Sequence, residues 1–520
     1  MNNSGKNVAR AAILLMITVV ISRVLGYGRE VALYSLFGQN YITDAYRAAF
    51  SIPDFIYLML VGGGLSSAFI PVFSGMIATG HEKEAWKSAS IVFNYVIVFL
   101  FALIAIAYFF TGPLINLLAP GLPPAYAGLA VNLTHIMFIQ TFFMALNGLA
   151  MGVLNSHNRF AAPAMGSLVY NFIIILIGLG FYQKFGIAAF SYGVVMGALL
   201  SFVVQIPALS RLGMKYYFSF DYRNEGFKQI MVLLVPVIAG LGVVQINLFV
   251  TQNLSSGIGP GMIGALNLAQ KLMNLPLGIF AVSIGTAVFP TMTALMARGE
   301  LAAFKKTTSL GIRSVFLVTI PASLGLIAVG APVIKLLFQQ GQFTSSMVAA
   351  TNQALTYYCI GLFAYAVLQI LNRSFYALKD TLTPVIAAII TIGLNIGMSI
   401  ILIGPMGHKG LALAYSLAGI FNMLFLLVIL RLKIGKIGVS RMMKSFLISL
   451  TAAVIMFLTV RVAMARLFAV LAWHEKINLL AGVSAAVAVG IGIYTVIVYM
   501  FRLEEFQMVW QIARKKLGRA

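Results

Sequence analysis

Three cations lie inside long apolar stretches of the chain: Arg23 and Arg29 in the first, and Lys271 far downstream. Placing an ionisable side chain at bilayer depth costs at least ~2.5–3.5 kcal/mol, so such residues face a bundle interior or a watery cavity and mark a substrate path. Their chemistry is attraction without bond making, and a cationic interior suits an anionic cargo. A plainer reading has Arg23 and Arg29 paired with Glu30 or reaching to an interface. Arg23 and Glu30 are seven positions apart and share one face of a straight helix. Arg29 points elsewhere unless Gly26 and Gly28 bend the helix, which a glycine pair can do. Asp44 and Asp54 are further intramembrane acids, and Asp44 stands three positions before Arg47, a spacing that lets the two pair on one helix. Gly62, Gly63 and Gly64 form a run that weakens a helix by roughly 1 kcal/mol per residue relative to alanine. It reads either as a hinge or as a place of close helix packing.

The elements that must position these residues are membrane helices. Of 520 residues, 61% are hydrophobic and 9% charged, with a mean hydropathy of +0.98. A soluble domain carries roughly 25% charged residues. Apolar runs of about 20 residues, enough to span a bilayer, recur near 7–36, 42–78, 88–112, 125–154, 161–183, 186–210, 228–254, 262–296, 306–330, 347–376, 384–404, 408–431, 440–465 and 477–501. The expectation is an all-α polytopic protein of about fourteen spans. Its net charge of +23 does not indicate nucleic acid, because the cations concentrate in alternate short connections, the positive-inside pattern. Both termini are expected on the cytoplasmic side. The stretches near 113–124 and 331–346 are expected to be the longest outward loops. The N-terminal run has no small-residue cleavage site and reads as an uncleaved first helix. Cys359, the one cysteine, excludes an intrachain disulfide and suggests no metal cluster.

The chain also repeats itself. "AFIP" ending at Pro71 answers "AVFP" ending at Pro290, "GPLINLL" with Pro113 answers "APVIKLL" with Pro332, and Pro163 answers Pro384. The first two pairs have the same offset (290 − 71 and 332 − 113), and the third (384 − 163) is nearly equal to it. Six spans per repeat is an even number, so the halves share orientation, as in carriers that hold substrate between two lobes. The expected division is an N-lobe over 1–212, a C-lobe over 213–435, two further helices over 436–502 and a basic tail over 503–520.

Several motifs in one order carry a resemblance: "SRVLGYGRE" (22–30), "TDAYRAAFSIPDF" (43–55), "SSAFIPVFS" (66–74), "LNSHNRFAAPA" (154–164), "AQKLMNLPLGIFAVSIGTAVFP" (269–290), "LLFQQGQFT" (336–344) and "LIGPMGHKGLALA" (402–414). The chain resembles the MurJ/MviN family of lipid II flippases, within the superfamily of multidrug and polysaccharide exporters. The resemblance implies transport of lipid II, the undecaprenyl-diphosphate-linked peptidoglycan precursor, from the inner to the outer leaflet of a bacterial cytoplasmic membrane. It implies a cationic cavity for the head group, with Arg23, Arg29 and Lys271 as its cations and Glu30 and Asp44 as its acids. It implies a groove beside the last two helices for the lipid tail. Where the family carries an arginine pair in the second helix this chain has Tyr57 and Leu58, and Gly62 replaces a glutamate. Lysine at 271 replaces an arginine and gives no bidentate phosphate grip.

No nucleophile, metal or cofactor is expected. The membrane potential is the expected driving force, at ~2.3 kcal/mol per charge per 100 mV, and no coupling ion is assigned, since the seventh span carries no acid between Lys228 and Leu254. Expected partners are lipid II, membrane lipids and proteins of cell-wall synthesis. The alternatives are a related exporter of another lipid-linked oligosaccharide or of drugs, an envelope enzyme, which would need an acid–His loop, and a structural scaffold, which would not explain buried cations.

Overall fold

The computed structural model describes residues 3–62, 64–470 and 476–507. Gly63, one of the candidate hinge glycines, and residues 508–520 of the basic tail lie outside the described residues. The element order is α1 (Asn3–Phe37), α2 (Tyr41–Tyr57), a π-helical turn (Leu58–Gly62), α3 (Gly64–Ala78), α4 (Glu82–Phe109), α5 (Thr111–Leu118), α6 (Pro124–Ser156), α7 (Ala161–Phe185), α8 (Ala188–Val203), α9 (Ile206–Ser210), α10 (Glu225–Ser256), α11 (Met262–Pro276), a second π-helical turn (Leu277–Ala281), α12 (Val282–Ala297), α13 (Leu301–Phe338), α14 (Ser345–Ala377), α15 (Leu382–Met406), α16 (His408–Ile434), α17 (Val439–Val470) and α18 (Lys476–Met500). Twelve stretches among the described residues are long and apolar enough to cross a membrane. With α1 and the run from α2 to α3 they occupy the fourteen expected positions. The chain is therefore an all-helical polytopic membrane protein. Large side chains such as Phe99, Ile106 and Phe109 are exposed on the helix surfaces, as hydrocarbon allows and water does not.

The two stretches expected as outward loops are largely helical. Pro113 stands in the first turn of α5, where a missing N–H is tolerated, and Ile115 and Leu118 are buried behind it. In α13 the helix runs on through Pro332 to Phe338, because Ile334 and Phe338, four apart on one face, are both fully buried.

The chain divides into two compact units. Unit 1 comprises Met1–Ile263 with Gln340–Phe343, and unit 2 comprises Gly264–Gln339 with Thr344–Ala520. The division by packing falls later than the repeat boundary expected at 212/213. Helix α10 packs in unit 1 against α3, α4 and α5, with Phe249 edge-on to Phe55 at 5.4 Å and Gln252 Oε1 accepting from Ser51 Oγ at 2.7 Å. The core of unit 1 is built on Phe69, stacked on Phe73 at 4.9 Å, and on Trp86, which meets Phe73 edge-on. In unit 2, α14 packs against α13 and α16, and α17 packs against α13, around Phe316, Leu371 and Phe375.

Proline sets up both widened turns. Pro53 cannot donate to the Ala49 carbonyl one turn back. That carbonyl instead accepts from Thr134 Oγ1 of α6 at 3.4 Å, and the π-helical turn follows directly after α2. Pro276 immediately precedes the second π-helical turn. The two turns begin at Leu58 and Leu277, and their separation (277 − 58) equals the offset already seen between Pro71 and Pro290.

Candidate anion-binding site

Unit 1 builds its site on α1 and α2. Asn40 caps α2: its Oδ1 accepts from the amides of Ile42 and Thr43 at 3.0 and 3.3 Å. The Thr43 hydroxyl returns to the cap backbone, the reciprocal arrangement of a capping box. One turn on, Asp44 is buried and accepts a 2.6 Å hydrogen bond from the Gly261 amide. Gly261 has φ +79°, and a Cβ there would run into the Gln39 carbonyl, so only glycine lets this amide reach the carboxylate.

Glu30 is the centre of the arrangement. It is 3% exposed, with Oε1 3.4 Å from Arg29 Nη2 and Oε2 bonded to Arg47 Nη2. The Arg47 guanidinium also lies over the Tyr34 ring, 5.6 Å from its centroid, within the range of cation–π attraction. Its Nη2 is 3.5 Å from the Tyr34 hydroxyl. The charges of Arg29 and Asp54 both act at Tyr170 of α7. Glycines of α8 bring α7 to its position. Cβ atoms at Gly193 and Gly197 would stand 3.0 Å from Ile174 Cα and 2.8 Å from the Tyr170 carbonyl, the small-residue spacing that allows membrane helices to approach closely.

These positions revise several expectations. Arg29 does contact Glu30, in line with the plainer reading of that arginine. Arg47 pairs with Glu30 of α1, whereas the i,i+3 spacing had offered Asp44. Helix α1 runs unbroken through Gly26 and Gly28, which pack toward Asn171 and Ile175 of α7. Arg23 is exposed. Gly62 closes the π-helical turn and Gly64 opens α3. Lys271, half-buried, sits on α11 in unit 2. Neither Tyr57 nor Leu58 supplies a cation, and Arg47 is the basic residue of α2. Sequence reasoning named it only as a partner for Asp44 and not among the cavity cations, although it lies inside an apolar span, the signal that singled out Arg23 and Arg29.

Unit 2 holds two features of its own. The first is an apolar cavity of about 210 Å³ between α13, α14, α16 and α17, lined by Phe316, Phe363, Met423, Met442, Met443 and Phe446 among others, with no polar surface. The second is an ion cluster that sequence reasoning also missed. Arg313 of α13 donates from Nη1 to Glu505 at 3.0 Å and from Nη2 to Glu504 at 2.9 Å, and Ser445 of α17 donates to the other Glu505 oxygen. The Arg313 hydrogen bond holds the Glu504 carboxyl below its ordinary range. Arg313 too stands in mid-span, so the same signal was available.

A shared carboxylate between two arginines in membrane helices describes a chemistry; comparison with known proteins describes a family. A family model for the lipid II flippase MurJ matches residues 33–517. The chain belongs to the MurJ family. It is 32% identical over 424 residues to the probable lipid II flippase MurJ of Buchnera aphidicola subsp. Acyrthosiphon pisum, covering 81% of this chain and 83% of that one. It is 29% identical over 435 residues to the lipid II flippase MurJ of Burkholderia cenocepacia, covering 82% and 84%. Among solved structures, a lipid II flippase MurJ in an inward closed conformation superposes with a TM-score of 0.79 at 29% identity, over 94% of this chain and 98% of that one. An inward-facing multidrug resistance MATE family transporter of the MOP superfamily gives 0.65 at 14% identity, over 81% and 98%, a likeness of fold alone. The MurJ resemblance read from the motifs is thereby established.

Proposed function

We propose that this protein is a lipid II flippase of the bacterial cytoplasmic membrane, moving the undecaprenyl-diphosphate-linked precursor from the inner to the outer leaflet by alternating access. The observation that carries the proposal, beside family membership, is the pair of arginines on α1 and α2 sharing one buried carboxylate, guanidinium groups within membrane helices that suit the oxygens of a diphosphate. Arg23 and Arg29 are assigned to the diphosphate and sugar head, and Lys271, in unit 2, is assigned the same ligand chemistry. The wholly apolar cavity of unit 2 is suited to part of the polyprenyl tail. Transport breaks no covalent bond, so the residues attract, orient and release. With an inside-negative potential of about 100 mV, outward movement of two phosphate charges gains roughly 4–5 kcal/mol.

Complementation of cells depleted of their own lipid II flippase, with lipid II exposure on the outer leaflet assayed directly, tests this reading. Rescue with restored exposure, lost in Arg29→Ala, is the expected outcome. A well-inserted protein that fails to restore exposure would point to a related exporter of another lipid-linked anion.

A further inference from the structure

The cations assigned above leave Arg47 without a role, yet its surroundings are those of a binding residue. It is nearly buried, its side chain 11% exposed, and it stands in the middle of α2. Its hydrogen bonds leave from Nη2 alone, to Glu30 and Tyr34, and its buried Nε has no partner. A guanidinium offers five donors in a planar fork matched to two oxygens of one anion; here one nitrogen of the fork is engaged. Glu30 meanwhile divides its two oxygens between Arg29 and Arg47. Arg29 and Arg47 both contact that one carboxylate, and the charge of Asp54 also acts on Arg47. Only an anion with several oxygens can satisfy both forks at once.

We propose that Arg47 is a further head-group-binding cation and that Glu30 is its resident counter-anion, displaced from the two guanidinium groups when a diphosphate arrives. Glu30 then acts as an internal competitor. It keeps two partly buried cations paired while the site is empty, and it lowers affinity enough for the ligand to leave again. This rests on the proposed lipid II reading and extends it to a residue of α2. Tyr34 holds the guanidinium plane by its ring face, so the fork is oriented before the ligand enters, which reduces the ordering lost on binding.

The two roles open to this ion pair predict opposite signs. If Glu30 competes with the ligand, Glu30→Gln tightens binding; if the pair is only a structural tie between α1 and α2, Glu30→Gln loosens the fold and leaves binding weaker or unchanged. The experiment uses the full chain in detergent, with undecaprenyl diphosphate as probe, and measures affinity and thermal midpoint for wild type, Glu30→Gln, Arg47→Gln, Arg47→Lys and Arg29→Ala. The expected results are binding about tenfold tighter for Glu30→Gln and about tenfold weaker for Arg47→Gln, with Arg47→Lys in between because it restores charge without the fork. Unchanged affinity in Arg47→Gln, or weakened or unchanged affinity in Glu30→Gln, overturns the assignment. If Arg29→Ala abolishes binding while Arg47→Gln does not, Arg47 is excluded and the flippase reading stands. If wild type does not bind the diphosphate lipid at all, both are overturned.

Discussion

Each unit buries an arginine among carboxylates, and the two clusters have opposite stoichiometry. In unit 1 two arginines share Glu30; in unit 2 Arg313 is met by two glutamates, one at each terminal nitrogen. Both Arg47 and Arg313 leave Nε unpaired, so that atom does not distinguish them. The terminal nitrogens do: Arg313 uses both, Arg47 one. A cation surrounded by its own chain's acids is a fastener, and Arg313 fastens the segment after α18 to α13, with Ser445 of α17 as a third point. A cation that must share its acid keeps donors for something else. The number of carboxylates each arginine contacts, one for Arg47 and two for Arg313, is what distinguishes the clusters.

The largest effect on stability should come from Arg313→Ala. It leaves Glu505, wholly buried, without its cation, and breaking a buried pair from one side costs about 3–5 kcal/mol. Thermal unfolding in detergent should show a clear fall in midpoint. Replacing Arg313 and Glu505 together by apolar residues should recover much of it, because no buried charge is then stranded.

Arg47→Ala should be milder in stability, about 1–3 kcal/mol, because Arg29 still accompanies Glu30, yet it should remove most lipid II exposure in complementing cells. Equal losses of thermal midpoint in Arg47→Ala and Arg313→Ala would erase the distinction between the two clusters.

A third change tests the apolar half of unit 2. Met443→Trp, at the edge of the cavity, should lower transport of the long-tailed precursor while a short-tailed analogue is affected less. Equal inhibition of both would remove the cavity from the tail path.

The smallest effect belongs to the surface pair Lys433–Asp380, which joins α16 to the turn before α15. Burial alone would raise the Asp380 carboxyl, but hydrogen bonds from Lys433 and Thr383 outweigh it and bring it from 3.8 to about 2. A carboxyl held below its unfolded value stabilises the fold above that value and loses its contribution as pH falls toward 2. Asp380→Asn should cost about 0.2–1 kcal/mol at neutral pH and progressively less as pH falls through about 2. A constant deficit across that range would show that the aspartate's charge is not what matters.

The sequence made the helices plain because bilayer thickness demands about twenty apolar residues each time, a signal that survives without any knowledge of packing. It also exposed the repeat, since Pro71 and Pro290 or Pro113 and Pro332 are marked by rare residues. The partners of the charges were less legible. Arg47 and Asp44 fit a helical spacing, but the partner Arg47 meets is Glu30, on another helix. Arg313 meets Glu504 and Glu505 from far along the chain, a proximity no local pattern encodes. The helical ends near Pro113 and Pro332 were obscured because proline and glycine suggest loops, while the buried Ile115, Ile334 and Phe338 that extend those helices declare themselves only in the packed structure.

The two π-helical turns carry a consequence for phase. A π-helical turn holds one residue more than the α-helix around it, and that residue rotates every later side chain by about 100°. With a widened turn in one stretch alone, the faces of its downstream helix would be out of phase with those of the other. The turns instead occupy matching places, 58–62 and 277–281, in step with Pro71 and Pro290. Both downstream helices therefore carry the same rotation, and residues at equal distances past the turns present equivalent faces.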